Sequence, residues 1–76
     1  MAIDLRYQKV NETATTVTYR FGSPHHMDQE VVINKTDSGD RVVSGPNNQL
    51  TVIVVGRALS RFEETGAWPG GGGYQA

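Results

Sequence analysis

Cysteine is absent from this chain. It therefore has no disulfide, thiolate nucleophile or thiolate metal site, although small secreted domains commonly rely on disulfides. A reducing compartment, the cytoplasm, is the expectation. Long apolar runs are also missing. The longest, Val52-Ile53-Val54-Val55, falls far short of the ~20 residues that a membrane-spanning helix needs. The opening Met1-Ala2-Ile3-Asp4 shows no basic region followed by an apolar one, so no signal peptide is expected. Nor is there an excess of one charge: seven basic residues stand against eight acidic ones, for a net charge of -1. Nucleic-acid affinity rests mainly on basic charge meeting phosphate, so this balance argues against a dedicated nucleic-acid binder. It also gives no polybasic attraction to an anionic membrane.

What is present fits one small domain. Its 76 residues can close one thin core of two layers, with little room for a deep internal site. Residues 2–10 alternate, with Ile3, Leu5 and Tyr7 on one side and Asp4, Arg6 and Gln8 on the other. Residues 13–21 alternate again, with Val17, Tyr19 and Phe21 against Thr16, Thr18 and Arg20. Period-two alternation marks strands with one dry face, and the short link at Asn11-Glu12 makes the pair a hairpin. Gly22, Ser23 and Pro24 open a loop over 22–28, and residues 29–35 give a third strand with Val31 and Ile33 facing inward. Asp37-Ser38-Gly39-Asp40 reads as a turn, and Arg41-Val42-Val43 as a short fourth strand.

Residues 50–64 admit two readings. One is a strand at 50–55 followed by a short helix at 57–65. The other is a single helix that starts at the Ser44-Gly45-Pro46-Asn47-Asn48 segment and stops at Gly66. The long helix is preferred because it covers the dry face of the sheet. Its inward stripe is then Val52, Val55, Leu59 and Phe62, with Ala58 beside them and Trp68 closing one end. The expected fold is α+β: an antiparallel three- or four-stranded β-meander with one C-terminal α-helix packed on one face. Residues 1–69 form this β-β-β-α domain. Residues 70–76, with four consecutive glycines, form a flexible tail.

No catalytic set emerges. Ser23 lies near His25, but no nucleophile stands on a strand-to-helix elbow. The chain is therefore read as non-enzymatic, with no cofactor. The helical stripe leaves Leu50, Ile53 and Val54 pointing away from the core, and such an apolar surplus marks a contact surface. The expected role is a small protein-interaction module, self-associating or docking on a protein partner through that face or through an unpaired sheet edge. An alternative is a metal- or ligand-binding loop built from His25, His26 and Asp28, although zinc sites use three or four protein ligands. A weaker alternative is nucleic-acid contact through Arg6, Arg20 and Arg41. Arg57, Arg61, Glu63 and Glu64 read as a solvated helix face.

Overall fold

The computed structural model describes residues 4–23, 25–36, 42–46 and 48–75. The chain runs β1 (Asp4–Glu12), β2 (Thr16–Ser23), β3 (His26–Asn34), β4 (Val42–Ser44), α1 (Gln49–Thr65) and β5 (Gly71–Gln75). The strands form one antiparallel sheet in the order β4-β3-β2-β1-β5. The α+β class, the meander and the single long helix stand as expected. Ile3, Pro24, the Asp37–Asp40 turn and Arg41 lie outside the described residues. No described helix is long and apolar enough to cross a membrane.

The alternating residues form the core. Leu5 and Tyr7 of β1, Val17, Tyr19 and Phe21 of β2, and Val31 and Ile33 of β3 are all buried on one sheet face. Tyr7 and Tyr19 meet edge to face, with ring centroids 5.6 Å apart and planes at 80°. This arrangement sets the positive edge of one ring against the negative face of the other. Three register shifts interrupt the ladders: one between Lys9 and Asn11 of β1, one between Phe21 and Ser23 of β2, and one between Val32 and Ile33 of β3 where it meets β4. At the second, Gly22 has a φ of 153°, and a Cβ there would fall onto the His26 carbonyl. The glycine thus lets β2 continue to Ser23 and β3 begin at His26, so strands occupy most of the expected 22–28 loop.

The C-terminal segment departs from the sequence reading. The sheet has five strands, because residues 71–75 pair with β1. The expected tail is an edge strand. β4 covers Val42–Ser44.

The helix is also rotated from the expected stripe. Val54 and Ala58 are fully buried and Thr51 nearly so, while Val52 is 68 % exposed. The cap explains the rotation. The Asn48 Oδ1 accepts the Thr51 amide at 3.0 Å and the Thr51 hydroxyl at 3.2 Å, and the Asn48 side-chain amide donates to Gln29 Oε1 at 2.9 Å. With the cap tied to β3, Thr51 turns inward, and Val54 and Ala58 follow at i+3 and i+7 on the same line. Leu50, Ile53, Val55, Leu59 and Phe62 flank that line and pack against the core from both sides.

Val54→Ala should lower stability by about 2 kcal/mol, through two lost methyl groups and a residual cavity. Val52→Ala should change it by less than about 0.5 kcal/mol. Urea denaturation of both variants reads the difference. A larger loss at Val52 would contradict this helix rotation.

Candidate functional site

The connection from α1 to β5 builds the site. Gly66 ends the helix in the left-handed conformation, φ 80°, and its amide donates to the Phe62 carbonyl at 2.7 Å. Such a φ suits a residue without a Cβ. Trp68 then folds back and stacks on Phe62, with centroids 4.7 Å apart and planes at 16°. It is 6 % exposed, and its buried indole N–H meets no acceptor among the described residues. The Tyr19 hydroxyl, rising from the sheet core, donates to the Pro69 carbonyl at 2.6 Å. Burial pushes the Tyr19 phenol well above its ordinary pKa, so it remains a donor throughout the neutral range.

From Pro69 the chain enters β5. The Lys9 amide donates to the Gly70 carbonyl at 2.8 Å. In an antiparallel ladder, alternate residues bond the neighbouring strand. Gly72, opposite Tyr7, and Tyr74, opposite Leu5, therefore bond β1. The N–H and C=O groups of Gly71, Gly73 and Gln75 then face the open side, where the described residues place no further strand. A Cβ on Gly72 would sit 2.6 Å from the Tyr7 hydroxyl and 2.8 Å from its Cζ. Glycine is needed there because the Tyr7 ring occupies the side-chain space.

Above β5 lies a groove of about 350 Å³ lined by Tyr7, Arg57, Ser60, Arg61, Glu64 and Gly71–Gly73. The Arg57 guanidinium carbon stands 4.8 Å from the centre of the Tyr74 ring, a cation–π contact, and Arg57 meets no carboxylate among the described residues. Arg61 faces Glu64 at 3.8 Å, a loose and exposed pair. Tyr7 is 6 % exposed, and its hydroxyl makes no hydrogen bond with any described residue. The groove thus joins two cationic groups, a free phenol and an open strand edge.

A second cleft, of about 440 Å³, lies at the helix C-terminus between Lys9, Glu12, Ala14, Lys35, Thr36, Phe62, Gly66, Ala67 and Trp68. The β1 bulge brings Glu12 to it, while Lys9 faces it by plain alternation. Lys9 pairs with Tyr19 and Glu12 with Val17, so both charged residues face the helix side. The Glu12 carboxylate accepts from Lys9 at 2.6 Å and from Lys35 at 2.8 Å. The cleft's charges are largely satisfied within the chain.

The sequence-predicted sites fare differently. Val54 has no exposed surface, and Leu50 and Ile53 are half-buried against the core, so these three do not form an outward patch. His25, His26 and Asp28 are all exposed, and no three metal-ligating side chains gather among the described residues. Arg6 pairs with Asp4 at 3.3 Å and Arg20 with Glu30 at 2.8 Å, which spends their charge within the sheet surface. The groove residues Arg57 and Arg61 read as a solvated face because nothing in the sequence places a strand beside them. Comparisons with protein-family models, with curated proteins and with solved structures find no significant match.

Lys35 and Lys9, by hydrogen bonding, hold the Glu12 carboxyl at about 2, against an ordinary value of 4.5. A lowered folded-state pKa stabilises the fold above the ordinary value, and that contribution fades as pH falls from 4.5 towards 2. Glu12→Gln should therefore melt below the wild type at neutral pH, with the gap closing as pH approaches 2. Thermal melts across that range check it. A gap that does not change with pH would contradict the ion-paired carboxylate.

Proposed function

We propose that this chain is a non-enzymatic protein-interaction module that accepts an extended segment of another protein as a sixth strand along β5. The observation that carries the reading is the open edge itself. Gly71, Gly73 and Gln75 turn their backbone donors and acceptors outward, and the glycines add no side chain to obstruct an incoming strand. Soluble proteins usually guard an edge with charge, proline, a bulge or shortness. β4, at the opposite edge, has three residues and a register shift, whereas β5 pairs with β1 over five residues without one. The contrast supports β5 as the receiving edge, and strand addition is a general mode of peptide recognition.

A segment of another protein fits better than a second copy. Symmetric pairing of two β5 edges would bring Arg57 and Arg61 of each copy towards those of the other, and like charges across an interface oppose association. The lack of cysteine fits work in a reducing cytoplasm.

The test is an NMR titration of the isotopically labelled chain with an octapeptide alternating threonine and valine. Amide shifts should concentrate at Gly71–Gln75 and vanish in Gly73→Pro. That substitution removes an outward donor while leaving the β1 ladder bonds in place. Thermal melting of Gly73→Pro separates loss of binding from loss of fold. Shifts centred on β4 or on α1, or undiminished in a folded Gly73→Pro, would contradict the proposal.

A further inference from the structure

The groove above β5 narrows the choice of partner. We infer that the segment received is acidic, with carboxylates on alternate residues (Asp or Glu, any residue, Asp or Glu). This rests on the strand-addition reading and adds the chemistry of its occupant.

The argument is one of spacing and charge. Tyr74 and Gly72 lie opposite Leu5 and Tyr7, on the helix side of β5. In an added strand, the residue facing Tyr74 would have its Cβ about 5 Å from that of Tyr74. Arg57 already reaches the Tyr74 ring at 4.8 Å, so a carboxylate at this position lies within its reach. Arg61 and Gly72 line the same groove. From Arg57 to Arg61 the helix rises about 6 Å. From Tyr74 to Gly72 the strand covers about 6.8 Å. The chain reverses between α1 and β5 at Gly66–Gly70, so the two series run in matching order: Arg57 by Tyr74, Arg61 by Gly72. Two arginines four apart on the helix therefore address two positions two apart on an incoming strand.

The remaining groups agree with an anion. The Tyr7 hydroxyl, without a hydrogen-bond partner among the described residues and above Gly72, can donate to the carboxylate that Arg61 meets. The Ser60 hydroxyl adds a second donor. Among the described residues of the lining Glu64 is the one acidic group, and its 3.8 Å contact with Arg61 is loose enough for a peptide carboxylate to displace. The whole chain carries a net charge of -1, so general attraction to an acidic peptide cannot produce the preference. It has to come from the groove.

The experiment compares two fluorescein-labelled octapeptides by anisotropy against the full chain. One alternates valine with glutamate and the other valine with glutamine. The glutamate peptide should bind about tenfold more tightly at low salt. The ratio should fall to near one in Arg57→Gln/Arg61→Gln, whose amide spectrum confirms its fold, and should shrink in Tyr7→Phe. Equal binding of the two peptides to the wild type, with shifts still confined to β5, would overturn the acidic preference and leave strand addition standing. Binding of neither peptide, with no β5 shifts, would overturn both. A glutamate preference that survives in the double variant would also overturn the inference, because the arginines would not be its source.

Discussion

The hydrogen bond from the Tyr19 hydroxyl to the Pro69 carbonyl joins the two halves of this molecule. It solves two problems at once. A phenol in the middle of a dry core needs an acceptor, since an unpaired buried hydroxyl costs about 1–3 kcal/mol. The chain leaving α1 needs an anchor before it can lie against β1. Pro69 offers no amide to the ladder, but its carbonyl fills the first need and fixes the second. With Pro69 held, the Gly70 carbonyl meets the Lys9 amide, and β5 continues in register from there. The open edge and the groove above it both follow from that placement.

Packing around this bond is arranged by size. Tyr7 and Tyr19 fill the sheet side with rings, so the neighbouring elements must be small where they approach. Gly72 does this for β5, where a Cβ would fall onto the Tyr7 ring. The stacked pair of Phe62 and Trp68 caps the other end. Function, on this account, uses what the packing leaves behind. The glycine run of β5, in which Gly72 makes room for Tyr7, is also a strand with little to repel a neighbour.

Much of the fold was legible in the sequence. The alternation of Leu5 and Tyr7, of Val17, Tyr19 and Phe21, and of Val31 and Ile33 gave the three central strands and their dry face. The helix was legible from its spacing and from its stop at Gly66. Its rotation was not, because that depends on the Asn48 cap reaching across to Gln29, a contact between residues nineteen apart. Aligning Val52 with Val55 and Leu59 made a plausible stripe, but tertiary contact outweighed it. β5 was illegible for a different reason. Glycines carry no alternating side chains, so period two has nothing to act on, and their backbone entropy argues for a mobile segment. The strand exists because β1 supplies a ladder and Tyr7 supplies a space that only glycine fits. The candidate groove inherits the same opacity. Arg57 and Arg61 are ordinary exposed helix residues until β5 is placed beside them. A hint was present in Tyr74, an aromatic just beyond the glycines, which only makes sense as a packed residue with a partner.

Native-state hydrogen exchange at Gly72 and Tyr74, in the wild type and in Tyr19→Phe, tests the central claim most directly. If the Tyr19–Pro69 bond anchors β5, both amides are protected in the wild type. In the variant they exchange much faster, while amides of β2 and β3 keep most of their protection. Unprotected Gly72 and Tyr74 amides in the wild type, or equal protection in both proteins, would contradict it.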